Sequence, residues 1–153
     1  RFTSVHGSAN TSRTCTTSTI QVNTGKGCHL DGHMVGHAMD HLELEKGTTL
    51  FIENVGNLIC PVDFKLGEHL RIVAVSVTEG DDIILKHPMI FKTAELALIN
   101  KIDLAAAVDV DPEKMVSDIQ SLNPDVPILL TSKHSGESLD LWVAALEAGL
   151  ESR

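Results

Sequence analysis

Short apolar runs rich in β-branched residues alternate with helical patterns, and this alternation restricts the fold more than any other feature of the sequence. The strongest run is Arg71–Thr78, and similar runs occupy Thr48–Glu53, Leu96–Asn100 and Pro127–Thr131. Near-continuous apolar strands separated by helices are typical of a parallel sheet covered on both faces. The sequence therefore predicts an α/β fold with a mainly parallel sheet flanked by helices.

The helical segments show recognisable start and stop signals. Leu30–Leu42 has a helical pattern, and a second helix should begin at Asp111, whose side chain can cap it, with Pro112 in the first turn. That helix should end by Asn123, ahead of a proline. The last helix carries apolar residues at helical spacing, among which Trp142 is predicted to lie in the core.

Length and charge exclude several classes of function. The 153 residues carry 12 Lys and Arg against 21 Asp and Glu, a net charge of −9. An acidic surface argues against a nucleic-acid or anionic-membrane partner, because no basic patch is present to neutralise phosphates. No apolar run reaches the ~18–20 residues that span a bilayer, and no signal-peptide pattern is present. A cytoplasmic location is expected.

The first residues differ from the rest in composition. Residues 1–19 are rich in Ser and Thr and show no amphipathic periodicity. This composition predicts a divergent N-terminal segment that forms a flexible or displaced tail. A single domain, which carries the candidate metal site, should then cover residues 20–153. Within it, Ile20–Asn23 reads as a short strand that leads into the loop Thr24–Gly27.

Polar clusters follow three of the predicted strands. They are Glu53–Gly56, Asn100–Asp103 and the pair Ser132 and Lys133. Ligands of parallel α/β sheets bind beyond the carboxyl ends of the strands. We therefore expect the three clusters to line one shared pocket.

The cluster Asn100–Asp103 has the pattern N-K-x-D, whose chemistry suits guanine. A carboxylate such as that of Asp103 can accept hydrogen bonds from both the N1–H and the N2 amino group of guanine, and adenine offers no such pair of donors. The Lys101 stem can cover the face of the base. Ser132 and Lys133, at the end of the next strand, could present backbone N–H groups to the guanine O6.

A second constellation suits a metal ion. Cys28 and His29 precede a helix, and Cys60 lies in the loop after a different strand. Thiolates and an imidazole are common ligands of Zn²⁺ and Ni²⁺, and the two cysteines should converge only if their strands are neighbours. Three cysteines do not suggest a disulfide framework, so metal ligation, a reactive thiol and core packing stay open, with Cys15 incidental.

Four histidines repeat every four residues from His29 through His33 and His37 to His41. A helix would align them on one face. They could form a metal-transit ladder, but a solvated polar stripe is the simpler interpretation for His37 and His41.

No phosphate-binding loop of the form G-x-x-x-x-G-K-S/T is found. Gly25 and Lys26 are the nearest approach, but Ile20 stands where the first Gly belongs and Gly27 where Ser or Thr belongs. The main anchor for the nucleotide phosphates and for Mg²⁺ is therefore missing from these residues.

Several stretches together resemble one family, the hydrogenase nickel-incorporation GTPases of the HypB type. They occur in family order from Ile20 onward, and the two longest, NTGKGCHLD and ENVGNLICP, are highly specific. The matching stretches are Gln21–Val35, Leu50–Pro61, Leu66–His69, Val75–Asp82, Asn100–Leu104 and Ser135–Trp142.

The resemblance implies a fold like that of the P-loop GTPases of the signal-recognition/MinD class, lacking its first strand and phosphate loop. It implies that Cys28, His29 and Cys60 bind nickel or zinc near a dimer interface. It also implies that Glu53 and Gly56 form the catalytic switch that senses the γ-phosphate and magnesium.

For the nucleotide, the resemblance implies guanine reading by Asn100, Lys101 and Asp103, helped by Ser132 and Lys133. The expected cofactors are GTP or GDP, Mg²⁺, and Ni²⁺ or Zn²⁺. The expected partners are a second copy of the chain, a hydrogenase large-subunit precursor and an accessory protein.

The implied function is GTP-dependent nickel delivery, as a metallochaperone, during maturation of NiFe hydrogenase, with GTP hydrolysis as the enzymatic activity. The missing phosphate loop leaves two alternatives: a metal-binding module without hydrolysis, or an inactive fragment of this family. A truncated or frame-disturbed gene product would have such an N-terminus, and so would a lineage that has lost hydrolysis.

Overall fold

The computed structural model describes residues 2–5, 17–25, 27–42, 44–45, 47–134 and 136–151. The strands are β1 (Phe2–Val5), β2 (Thr17–Ile20), β3 (Thr49–Ile52), β4 (Ile72–Ser76), β5 (Leu96–Asn100) and β6 (Ile128–Thr131). The helices are α1 (Gly32–Met39), α2 (Ile83–Lys86), α3 (Pro88–Lys92), α4 (Pro112–Leu122) and α5 (Gly136–Glu151). Short 3₁₀ helices span Cys60–Asp63, Val77–Glu79 and Ile102–Val108.

The chain divides into two compact units, residues 1–67 and 68–153. The first contains an antiparallel three-stranded sheet in the order β2-β1-β3, so β1 pairs with both other strands. Its core comprises buried residues from α1 and its flanks, namely Leu30, Val35, Ala38 and Leu42. Ile20, Leu50 and Ile52 of the strands pack against that cluster and tie the sheet to the helix.

The second unit contains a parallel sheet in the order β4-β5-β6, with β5 in the centre. Ala97 and Ile99 of β5 are fully buried, as expected for a central parallel strand. Phe91 of α3 and Met115 and Ile119 of α4 are also fully buried. The predicted α/β fold with a parallel sheet and flanking helices is confirmed in this unit.

The signals that delimit α4 act as predicted. Asp111 Oδ1 accepts a hydrogen bond from Glu113 N at 3.0 Å, and Pro112 occupies the first turn. Asn123 follows the helix, and its Nδ2 donates to Phe91 O at 3.1 Å and to Ala94 O at 3.0 Å. The residue that ends α4 therefore also anchors it to the segment before β5.

The structure describes part of the N-terminal segment. Residues 2–5 and 17–20 form strands, and the division between the two compact units falls after Gly67. The strand predicted at Ile20–Asn23 is displaced and ends at Ile20. Four-residue strands rich in Ser and Thr carry little apolar period, and they are held by pairing with a strand distant in sequence.

Two further expectations differ from the structure. β3 belongs to the antiparallel sheet and not to the parallel one, and all four of its residues are half-buried. Trp142 is half-buried, so it does not lie in the core. In the part of the chain that the structure describes, no helix is long and apolar enough to cross a membrane.

Candidate functional site

A tight turn between Asn23 and Gly27 directly precedes Cys28. Asn23 Oδ1 accepts from Gly25 N at 2.8 Å, and Gly27 N donates to Thr24 O at 2.9 Å. Gly25 has φ +62°, and a Cβ on Gly27 would lie 3.0 Å from Thr24 O, so the turn favours glycine at both positions. Cys28 follows directly and is exposed.

The residues after Cys28 are fixed by their side chains. The His29 ring stacks on Phe64 with the ring centroids 3.5 Å apart. Leu30 is 2% exposed and anchors the segment in the core. Asp31 then caps α1, because its Oδ1 accepts from Met34 N at 2.8 Å. The sequence predicted this helix, although it is shorter than Leu30–Leu42.

The structure joins the Cys28 and Cys60 sulfurs in a disulfide, with the two Cα atoms 6.1 Å apart. Cys28 Sγ lies 3.8 Å from His29 Nδ1. The three predicted metal ligands are therefore neighbours, but the expectation against a disulfide is corrected. Among the described residues, no group of three or more His, Cys, Asp or Glu side chains is arranged to hold a metal. In the disulfide form neither sulfur is a thiolate.

The cysteines converge although their strands are not neighbours. β1 lies between β2 and β3, and both pair with it antiparallel, so β2 and β3 run in the same direction. Their ends are about 10 Å apart, two strand spacings. The loops that follow these strands cross that gap and bring Cys28 and Cys60 together. The expectation that Cys28 and Cys60 could converge only if their strands were neighbours was therefore wrong.

Glu53 and Gly56, the predicted switch residues, directly follow β3 and are exposed. Glu53 lines a shallow depression together with Thr19, Gln21 and Val22. Glu53 follows a strand of the antiparallel sheet, whereas the other two polar clusters follow strands of the parallel sheet.

The later histidines fit the solvated-stripe interpretation. His33, His37 and His41 are all exposed. The rings of His37 and His41 lie edge to face with centroids 5.0 Å apart.

The motif predicted to read guanine lies at the carboxyl end of β5. Asn100 Oδ1 accepts from Lys101 N at 2.7 Å and from Thr131 Oγ1 at 3.2 Å. Lys101 has φ +61°, a left-handed conformation that turns the chain into the 3₁₀ helix carrying Asp103. Because β5 and β6 pair in parallel, with Asn100 opposite Thr131, the ends of both strands meet as predicted.

Asp103 and Ser132 form the centre of this edge. Ser132 Oγ donates to Asp103 Oδ1 at 2.6 Å, and this hydrogen bond is the main cause that lowers the pKa of the Asp103 carboxyl. His134 Nε2 lies 3.9 Å from Asp103 Oδ2. Ser132 itself is buried, and its N–H donates to Ser138 Oγ at 3.4 Å. The predicted base-reading carboxylate is therefore ionised and oriented.

Sequence reasoning missed several residues in both places. Thr131 and His134 contact the motif residues directly, and nothing in their local pattern identifies them. Asn57, which was not predicted, donates to Cys28 O, and Asn54, although part of the predicted cluster Glu53–Gly56, makes an unforeseen bond to Leu30 N. Two asparagines within a post-strand loop are a recognisable signal, because Asn side chains commonly bond to nearby backbone groups. Lys101 and Lys133, which the sequence did predict as nucleotide-binding residues, are both exposed.

Substituting Ser132 with Ala should raise the pKa of Asp103 towards its ordinary value, because the main hydrogen bond to the carboxylate is lost. The pKa of Asp103 is lower in the folded state than in the unfolded state. The hydrogen bond from Ser132 therefore stabilises the fold fully at pH values above the unfolded-state pKa, and this contribution is lost as the pH falls through the folded-state pKa. A carboxyl ¹³C NMR titration measures the midpoint. The exposed Ser117→Ala control should not move it, and an unchanged midpoint in Ser132→Ala would contradict the assignment.

The chain matches known sequences over most of its length. The sequence profile of the CobW/HypB/UreG nucleotide-binding domain matches residues 2–130. The chain is 54% identical over 132 residues to the probable hydrogenase maturation factor HypB of Methanocaldococcus jannaschii, covering 86% of this chain and 60% of that protein. It is 49% identical over 131 residues to hydrogenase maturation factor HypB of Escherichia coli K12, covering 86% and 45%.

Solved structures agree with these matches. The crystal structure of hydrogenase maturation factor HypB from Archaeoglobus fulgidus matches with a TM-score of 0.75 and 48% identity, covering 83% of this chain and 67% of that one. HypB from Helicobacter pylori in complex with nickel matches with a TM-score of 0.81 and 40% identity, covering 86% and 64%.

The fold and the profile define a nucleotide-binding protein of the α/β class. More narrowly, the chain belongs to the CobW/HypB/UreG family, as its motifs predicted. It spans about half the length of the curated relatives that it matches, from 60% of the M. jannaschii protein to 45% of the E. coli protein.

Proposed function

We propose that this chain is the guanine-reading and metal-binding portion of a GTP-dependent nickel-delivery factor for hydrogenase maturation. The relatives named hydrogenase maturation factor HypB support this role, as does the nickel complex of the H. pylori protein. The observation that carries the proposal is the meeting of Cys28 and Cys60, 32 residues apart, beside His29.

The donor set suits nickel as a cargo. Two thiolates and an imidazole bind Ni²⁺ and Zn²⁺, and each cysteine must lose its proton first. The disulfide must therefore be reduced before metal can bind. Because Cys28 is exposed, nickel can enter and leave without a large rearrangement of the fold. Stacking on Phe64 fixes the plane of the His29 ring and so lowers the entropy lost on binding.

Guanine reading is assigned to the carboxyl ends of β5 and β6. Asp103 would accept from guanine N1–H and N2–H, and Ser132 orients that carboxylate through its 2.6 Å hydrogen bond. Lys101 would cover the base, and Asn100 braces the two strand ends through Thr131. Lys133 is exposed next to Ser132 and adds positive charge. Adenine would leave the Asp103 carboxylate without donors, so guanine is favoured.

GTP hydrolysis and assembly are proposed for a protein as long as the relatives, which are about twice the length of this chain. There, Glu53 and Gly56 would sense the γ-phosphate and Mg²⁺, and a GTP-dependent homodimer would transfer nickel with an accessory protein to the hydrogenase precursor. Nucleotide and metal must then change each other's affinity by the same factor.

The redox state of the cysteine pair tests the metal role. On a Cys15→Ser background, the reduced chain should bind Ni²⁺ near 1:1 with a thiolate-to-nickel charge-transfer band. The chain oxidised to the Cys28–Cys60 disulfide should lose this band and bind at least roughly 100-fold more weakly, since both thiolate ligands are gone. Absorption titration against a competing chelator measures both forms.

Equal nickel affinity in the two redox forms would contradict the proposal, because the metal would then be bound elsewhere. His37→Ala with His41→Ala serves as a matched control, since these exposed histidines are the other imidazoles at which Ni²⁺ could bind without the cysteines. Their removal should leave the reduced-state affinity unchanged.

A further inference from the structure

The Asn57 side chain joins the two loops that carry the cysteines. Its Oδ1 accepts from Cys60 N at 2.8 Å and from Ile59 N at 3.1 Å. Its Nδ2 donates to Cys28 O at 2.6 Å. One amide group therefore contacts the backbone of both cysteines.

Only an amide can make this set of contacts. The three bonds need an acceptor facing the Ile59 and Cys60 N–H groups and a donor facing the Cys28 carbonyl. A carboxylate supplies acceptors only, and would place a negative oxygen against that carbonyl. Asp at position 57 would therefore keep one half of the bridge and lose the other.

Asn54 ties the same loops together at another point. Its Oδ1 accepts from Leu30 N at 3.0 Å and from Val55 N at 2.8 Å. Leu30 is 2% exposed, so this contact attaches the post-β3 loop to the core and not to a cysteine. Asn54 is therefore a matched comparison: the same residue type, in the same loop, with a bond to the same neighbouring segment.

We propose that Asn57 is the positioning residue that holds Cys28 and Cys60 at the separation needed for a shared metal ion or a disulfide. The two sulfurs approach each other across strands that are not adjacent, and the sheet alone leaves their loops about 10 Å apart. Side-chain bridges between the loops must close this gap; Asn54 supplies one at Leu30, and Asn57 supplies the one that contacts the backbone of both cysteines. The nickel part of this inference rests on the proposed function, whereas the disulfide part does not.

The equilibrium constant for forming the Cys28–Cys60 disulfide reports how closely the two thiols are held, and it tests the inference directly. The chain, on a Cys15→Ser background, is equilibrated with reduced and oxidised glutathione. In this exchange two protein thiols and one glutathione disulfide give one protein disulfide and two glutathione thiols. Asn57→Ala should lower the equilibrium constant about tenfold, the size expected when bridging hydrogen bonds are lost. Asn57→Asp should lower it at least as much, while Asn54→Ala should change it less than about threefold.

Nickel affinity of the reduced variants, measured with a competing chelator, should follow the same order. An unchanged disulfide equilibrium in a folded Asn57→Ala variant would overturn the inference. If that variant does not fold, Asn57→Asp decides, because it keeps the acceptors for Ile59 and Cys60 and changes only the side facing Cys28. Equal losses in Asn54→Ala and Asn57→Ala would also overturn it, since general loosening of the loop would then suffice.

The two proposals fail in different ways. If the disulfide equilibrium responds to Asn57 but the reduced wild type binds no Ni²⁺, the positioning role stands and the nickel role fails. If Ni²⁺ binds but neither readout responds to Asn57, the nickel role stands and the positioning role fails.

Discussion

Replacing Asp103 with Asn should weaken guanine-nucleotide binding by about 100-fold, the effect of removing charged, paired hydrogen bonds. The carboxylate offers two acceptors to the N1–H and N2–H donors of guanine. Asn offers one acceptor, and its NH₂ group would face a donor. Ser132 already fixes Oδ1 at 2.6 Å and keeps the pKa of Asp103 below its ordinary value, so the wild-type carboxyl is charged at neutral pH.

Fluorescence titration with a labelled GDP measures the loss, and a xanthine nucleotide gives a second measurement. Xanthine has an oxygen where guanine has the N2 amino group, so an Asn amide can donate to it, and the preference of the variant should shift towards xanthine. Asp109→Asn is the matched control, because Asp109 is exposed and its left-handed backbone tolerates Asn. Equal guanine affinity in Asp103→Asn and wild type, or no saturable binding by the folded wild type, would refute the assignment.

The meeting of the β5 and β6 ends could be predicted from the sequence, because it depends on local sequence patterns. Apolar runs predict β5 and β6, and parallel neighbouring strands place their carboxyl ends at the same edge. Asn100, Asp103 and Ser132 therefore had to meet, and they do. His134 could not be predicted, because its contact depends on how the loop after Ser132 folds back.

The cysteine-bearing unit was less predictable, because its pairing is set by a strand distant in sequence. β1 lies between β2 and β3, yet its four residues, Phe2–Val5, are too few to give an apolar pattern that marks a central strand. The antiparallel sheet followed from that pairing, and so did the route by which Cys28 and Cys60 meet. Long-range pairing competes with local propensity and is not visible in a single window of sequence.

The role of Asn57 illustrates a different limit. A loop asparagine is readily recognised, but the carbonyl and N–H groups that it bonds belong to backbone whose positions depend on the whole unit. The residue types in ENVGNLICP indicated the family, and only the structure reveals that Asn57 within this stretch contacts the backbone of both Cys28 and Cys60.

Replacing either cysteine with serine, as Cys28→Ser or Cys60→Ser, should weaken nickel binding by the reduced chain more than roughly 100-fold. Removing a residue that only hydrogen-bonds to a metal ligand already lowers metal affinity about 10–100-fold, and removing a ligand itself should cost more. A serine hydroxyl keeps its proton at neutral pH, so each variant loses one negative charge and one soft donor. The convergence of the two sulfurs predicts nearly equal losses in the two variants. Chelator competition, together with the intensity of the thiolate-to-nickel band, measures both.

The double variant distinguishes a shared ion from two separate sites. If one ion uses both sulfurs, Cys28→Ser with Cys60→Ser should lose much less than the product of the two single losses, because each single change already breaks the chelate. Cys15→Ser should be silent and provides the matched control for removal of a thiol. A Cys60→Ser variant that keeps wild-type affinity while Cys28→Ser loses it would assign nickel to Cys28 and His29 alone, and would contradict a site built from the two converging loops.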